Sequence, residues 1–426
     1  MRRIVVTGMG VVTSVGLNLK QNWENIINGV SGISKIESFD TSNIPVKIAG
    51  EIKTPNQTPN EAGFILNIED FVDAKDIKKM DKFMGYSIVA TQEAVEQANW
   101  KPETEEERAR TGVIIGSGIG GLYTIESNAK KMFEKSAKVI SPFFIPSSII
   151  NLASGYVSMK YGFNGPNCAI TTACATGGHA IYHASHIIKA GDADVMIVGG
   201  AESAICELGM AGFANAKALS RSFPDEPRRA SRPWDKARDG FVMGEGAGIL
   251  ILEEYEHAKK RGAKILCEVY GGGASGDAYH ITAPHPEGFG AKLAMRMAIK
   301  NAGIDIKDIG YINAHGTSTP LGDMAELNAV REVIGAEQKN IVMSSTKSAI
   351  GHCLGAAGAI EAIYSIMAMN TGDIPPTLNL EDIEDGTEGF DLVPLKSKHI
   401  DGIKAVLSNS FGFGGTNSSV IFGRVR

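Results

Sequence analysis

Short runs of β-branched and aliphatic residues, most of them closing on glycine, limit what this chain can fold into more than any other feature. They read RIVVTGMG, TGVIIGSG, ADVMIVGGAES, GILILEE, KILCEVYGGG, IGYINAHG and KAVLSNSFGFGG. Helical patterns, such as those over 84–99 and 292–302, lie between several of them. Continuous apolar strands alternating with helices predict an α/β protein with a largely buried sheet. At 426 residues the chain is long for one core, so two domains or a fused pair of similar halves are expected. CATGGHAIYHASHIIKAGD and CLGAAGAIEAIYSIMAMNTGD echo one another. Each is a small-residue turn followed by an alanine-rich helix that ends on Gly-Asp. Two related halves meeting near Ala263 would explain the echo; so would the alanine content common in buried helices.

Charge and cysteine usage narrow the function classes. A net charge of −6 argues against nucleic acid as the main partner. The five cysteines are odd in number and scattered, with no Cys-x-x-Cys. Neither a disulfide framework nor a zinc site is indicated, and a reducing, cytoplasmic setting is expected. The opening MRRIVVTGMGVVTSVG reads as a strand and turn, because Thr7 and Gly8 interrupt its apolar run. No apolar run approaches the ~20 residues of a membrane span.

Chemistry is suggested at four places. In ITTACATGGHA, Cys174 stands among small residues ahead of a helical pattern. A helix N-terminus lowers a thiol pKa, so the expectation is an accessible, easily ionised nucleophile, with Gly177 and Gly178 forming the turn. In INAHGTSTPLGD, His315 follows a buried strand at its carboxyl end and is surrounded by hydroxyl residues. SSTKSAIGHCLGAAGAIEA supplies Lys347 and His352. LSNSFGFGGTN puts Phe411 and Phe413 in a glycine turn, where they either gate a pocket or plug a core. TGVIIGSGIGG formally matches a dinucleotide fingerprint at Gly116, Gly118 and Gly121, but no second strand ending in an acid follows, so a pocket-lining turn is expected. One thiol, two histidines and a lysine at strand ends fit nucleophilic catalysis, and the histidine spacing does not fit a metal site.

Taken together, TTACATGGHA, NAHGTSTPLGD, STKSAIGHCLGAAGA and NSFGFGGTN resemble the elongating β-ketoacyl-acyl-carrier-protein synthases of type II bacterial fatty-acid synthesis. SRPWDKARDGFVMGEGAG and SPFFIPSSIIN fit the same family, and the likeness runs over nearly the whole chain. The resemblance implies a thiolase-like α/β fold, two related αβαβα halves making a five-layered core, here divided as 1–262 and 263–426. It also implies a homodimer, no metal, no cofactor, and an acyl-carrier protein as partner. By the same resemblance Cys174 is the acyl-accepting nucleophile, His315 and His352 complete a Cys-His-His triad, and Lys347 supports its electrostatics. Cys174 and Phe413 supply oxyanion-hole N–H groups, and Phe413 is the gate with Phe411 beside it. Thr317 and Thr319 hold the pantetheine arm, and Ile119 and Phe213 line the acyl pocket. Lys75, Lys78, Lys79, Lys82, Lys130, Lys131, Lys135 and Lys138 are candidate docking residues for the acidic carrier, with a solvated helix face as the rival reading. The reaction implied is decarboxylative condensation. A polyketide-type ketosynthase, a non-catalytic partner subunit and a cysteine hydrolase are the alternatives.

Overall fold

The computed structural model of the chain describes residues 2–335 and 340–426. The β-branched runs become strands. The first half supplies β1 (Ile4–Thr13), β2 (Thr111–Gly116), β3 (Asn167–Cys168), β4 (Val195–Glu202) and β5 (Gly246–Glu254). The second supplies β6 (Cys267–Gly276), β7 (Ile309–Asn313), β8 (Ile341–Ser344), β9 (Phe390–Asp391), β10 (Ala405–Gly412) and β11 (Thr416–Gly423). Every residue of β1, β2, β4 and β5 is buried, so these segments show no polar alternation.

Strand order in the first half is β3-β2-β4-β5-β1, and in the second it is β8-β7-β10-β11-β6. In both, the first three strands run parallel and the last two pair antiparallel. β9 adds one parallel strand at the outer edge of the second half. The two sheets meet edge to edge through β1 and β6, where Val5 pairs with Glu268 and Val6 with Cys267. The sequence echo is therefore the trace of one topology used twice.

Six helices complete the layers: α1 (Lys82–Ala98), α2 (Leu152–Tyr161), α3 (Thr176–Ala190), α4 (Phe289–Ala302), α5 (Pro320–Val333) and α6 (Ala357–Thr371). α1 and α2 cover the first sheet and α4 and α5 the second, while α3 and α6 pack on each other between them. This is the thiolase-like five-layered fold. Being sandwiched, α6 is buried almost all round and is correspondingly apolar except where it carries Glu361 and Ser365.

The first turns of α3 and α6 cross at backbone contact. A Cβ on Gly177 would lie 2.5 Å from the Ala359 nitrogen, and one on Gly358 would lie 2.7 Å from the Gly178 nitrogen. Gly177 and Gly178 were expected in a turn; they lie inside α3, where the missing side chains admit the partner helix. The irregular stretch around SRPWDKARDG ties the two halves together. Trp234 is fully buried in the second-half core and donates from its backbone N–H to Asp323 Oδ2 at 3.1 Å. A first-half loop is thereby anchored beside the His315 segment. Among the described residues no helix is long and apolar enough to cross a membrane.

Gly177→Ala should lower stability by about 1–3 kcal/mol in chemical denaturation, because the neighbouring backbone cannot yield. Gly212→Ala, in the helix Glu207–Asn215 with nothing within 4 Å of the new Cβ, should leave stability unchanged or slightly raised.

Candidate active site

The nucleophile sits in the turn between β3 and α3. Ala173 holds a left-handed φ of 48°, which costs energy in a residue with a Cβ and re-aims the chain just ahead of Cys174. The Thr176 hydroxyl fastens this turn, accepting from the Thr172 N–H at 2.9 Å and donating to the Ala173 carbonyl at 2.7 Å. Cys174 lies at the floor of a cavity of about 660 Å³ and is only 8% exposed. The expected open, acidic thiol is corrected here. Burial pushes the Cys174 thiol up to about 12, against the opposing pull of Lys347 and of the backbone N–H groups of Phe413 and Cys174 itself. Desolvation of a thiolate outweighs what one helix N-terminus and one cation return.

His315 leaves the carboxyl end of β7. Its backbone N–H and that of Gly316 donate to the Glu326 carboxylate of α5 at 2.9 and 2.8 Å. His352 is held on both sides of its own peptide: its N–H donates to Val242 O at 2.7 Å, and its carbonyl accepts from the Gly244 N–H at 2.9 Å. The two imidazoles meet edge to face with centroids 5.3 Å apart, and Phe241 stands 5.3 Å behind His352. Both Nδ1 atoms are buried and have no hydrogen-bond partner among the described residues, which leaves the Nε2 edges for the cavity. Burial first and the Lys347 charge second hold both rings well below the usual imidazole range, so both are neutral at neutral pH. Lys347 itself does not line the cavity. It is ion-paired with Glu361 of α6, both side chains being 1% exposed, and burial holds the Glu361 carboxyl up at about 7.

The two phenylalanines of the glycine turn differ. Phe411 is the penultimate residue of β10, packing on the second-half core and 5.7 Å from His315. Phe413 occupies the β10–β11 turn, 36% exposed, with its ring 6.3 Å from Phe213. A Cβ on Gly412 would lie 2.8 Å from Thr172 O and 3.1 Å from Cys174 N, so only glycine lets this hairpin close on the nucleophile turn. Thr317 and Thr319, hydroxyls 3.0 Å apart, line the same cavity, as do Ile119 and Phe213. The GSGIGG turn grips a carboxylate. Ser117 Oγ and the Gly118 N–H donate to Glu202 at 2.7 Å each, and the Gly355 N–H donates at 2.9 Å.

The candidate docking lysines divide. Lys130 is paired with Glu126 and Glu207 at 3.0 and 2.6 Å, Lys79 with Asp76 at 2.8 Å, and Lys75 with Asp73 at 3.5 Å. Lys82 stands 5.6 Å from the Tyr123 ring centroid. Lys78, Lys131, Lys135 and Lys138 are exposed and make no ion pair among the described residues. Glu202, Asp323 and Glu326 carry parts of the site that the motifs did not disclose. PLGDMAE held the signal for two of them, since acids three apart on a helix can both face back onto the loop that precedes it.

Residues 1–258 match the family model described as "Beta-ketoacyl synthase, N-terminal domain", and residues 266–381 match "Beta-ketoacyl synthase, C-terminal domain". The chain belongs to the β-ketoacyl synthase family. It is 51% identical over 425 residues to 3-oxoacyl-(acyl-carrier-protein) synthase 2 of Vibrio cholerae, covering 100% of this chain and 99% of that protein. Among solved structures it is similar to a β-ketoacyl synthase from Burkholderia phymatum, with TM-score 0.89, 33% identity and full coverage of both chains. It is also similar to a type II polyketide ketosynthase solved in complex with its acyl-carrier protein, with TM-score 0.89, 32% identity and full coverage of both.

Inactivation of the ligand-free protein by iodoacetamide should rise about tenfold per pH unit from about pH 6 to pH 9, as expected for a thiol that titrates far above that window. A plateau by neutral pH would show that the buried thiol is acidic after all.

Proposed function

We infer that the chain catalyses the decarboxylative condensation of malonyl-acyl-carrier protein with an acyl group carried on Cys174. The product is a β-ketoacyl-carrier two carbons longer, in fatty-acid elongation. The observation that carries this is convergence: one thiol, two neutral imidazoles and two backbone N–H groups from opposite halves face a single cavity. The full-length relative at 51% identity favours the fatty-acid reaction over a polyketide one.

In the first half-reaction Cys174 Sγ attacks the acyl-carrier thioester. The S–C bond forms, the carrier sulfur leaves, and the proton lost by Cys174 ends on that sulfur. The tetrahedral oxygen is met by the N–H groups of Cys174 and Phe413, which already lie within reach of the sulfur. In the second half the malonyl C–C bond breaks, CO2 departs and its electron pair becomes an enolate. Two neutral imidazoles can each present an Nε2–H to the enolate oxygen, where a cationic pair would be disfavoured beside Lys347. The enolate carbon attacks the acyl-Cys174 carbonyl, and the departing thiolate takes one proton from solvent. Thr317 and Thr319 are placed to hold the pantetheine arm, Ile119 and Phe213 to hold the acyl chain, and Phe413 to gate it.

The partner is an acyl-carrier protein, supported by the name of the relative and by the carrier-bound ketosynthase. Lys78, Lys131, Lys135 and Lys138 are the docking candidates that make no ion pair among the described residues. A homodimer is supported by the exposed Phe133 (83%) and Ile145 (60%), together with the open edge of the two-residue strand β3. The five unpaired cysteines support a cytoplasmic setting. The division at 262/263 places the nucleophile in one half and both histidines in the other.

Intact-mass analysis should show an acyl adduct on wild type and none on Cys174→Ala, cleared by malonyl-carrier with release of the longer product. His352→Ala should lower malonyl decarboxylation by on the order of a hundredfold. An adduct that clears in water alone would identify a hydrolase.

A further inference from the structure

The oxyanion donors come from the two ends of the duplicated fold, the Cys174 N–H from the β3–α3 turn and the Phe413 N–H from the β10–β11 turn. Their spacing depends on whatever fixes one turn against the other. His179, one turn into α3 and 5% exposed, lies between them. Its Nε2 is 3.1 Å from the Asn417 carbonyl of β11. A carbonyl only accepts, so Nε2 carries the proton and Nδ1 the lone pair. Nδ1 is 2.8 Å from the Thr172 hydroxyl, which therefore donates to it. Thr172 is two residues before the nucleophile, and Asn417 is four residues after Phe413. The same two segments are tied once more by the Thr416 hydroxyl, which donates to Thr172 O at 3.0 Å. The circuit closes where Gly412 packs against Thr172 O and Cys174 N.

We propose that His179 is a positioning residue that sets the distance between the Cys174 and Phe413 N–H groups, and so governs acyl transfer without touching substrate. The proposal rests on the condensation reading above. It separates the two halves of that reaction, because the enolate is met by His315 and His352, which lie on segments the clamp does not hold. A displaced oxyanion donor weakens the tetrahedral intermediate at Cys174 and leaves decarboxylation alone. A shift of about 1 Å in such a group costs up to about a hundredfold.

The test measures two rates on the full chain: acylation of Cys174 by a saturated acyl-carrier protein, and decarboxylation of malonyl-carrier. His179→Leu should lose acylation about ten- to a hundredfold while decarboxylation stays within about twofold of wild type. His179→Gln, whose amide can donate to Asn417 O and accept from Thr172, should restore most of the acylation. Thr172→Val removes one bond of the clamp at almost unchanged shape, so it supplies the reading should His179→Leu fold poorly, and it should show the same selective loss. Equal losses in both rates, or acylation unchanged in both His179→Leu and Thr172→Val, would overturn the proposal. Wild-type protein that accepts no acyl group would sink the condensation reading itself, and the clamp with it.

Discussion

Two helix N-termini reach backbone contact only if nothing projects between them. The crossing of α3 and α6 at Gly177, Gly178 and Gly358 meets that requirement, and most of the active site follows from it. The crossing brings the turn that carries Cys174 beside the turn that carries His352, although the two are 178 positions apart in sequence. It also explains why both helices begin with small residues and why α6 is buried almost all round. The glycines that make a thiol look uncovered in the sequence are filled by the partner helix. The nucleophile is consequently buried, and its chemistry is that of a desolvated thiol.

A second constraint is the buried cation beside the cavity. Lys347 and Glu361 are both withdrawn from water, an arrangement that seldom adds net stability because each charge loses its hydration. Its effect is on neighbours. The Lys347 charge pulls the Cys174 thiol down and pushes both imidazoles down, favouring a thiolate and two neutral rings at once. Neutral rings with one free N–H each suit a site that must meet an enolate oxygen. Glu326 and Glu202 work at one remove, each gripping backbone N–H groups of a cavity-lining turn.

Much of this could be read from residues alone, and the parts that could not share a cause. Alternating apolar runs announced the buried sheets, and the paired Ala-rich segments announced the duplication, because each depends on local pattern. Cys174, His315, His352 and Phe413 stood out because small residues crowd around them, and all four line the cavity. The thiol's basicity is not legible in the sequence, because a helix N-terminus is local, whereas the desolvation that overrides it comes from segments far away in sequence. Trp234 is another such case. Its stretch reads as irregular, yet Trp234 is buried and bonded to Asp323, which lies 89 positions later. The lysines show the limit on a surface, since Lys79 and Lys130 have carboxylates at helical spacing and are committed within their own chain.

The position of β11 has a bearing on how the molecule is made. It is the most C-terminal of the strands, yet it lies inside its sheet, between β10 and β6. Until β10 and β11 have been synthesised, β6 lacks one of its two neighbours and the Phe413 turn does not yet exist. Before that hairpin forms, the Cys174 turn lacks both the Phe413 N–H and its ties to Thr416 and Asn417. The hairpin's insertion seals the second sheet and completes the oxyanion donors, so a nascent chain cannot acquire reactivity before it acquires its fold.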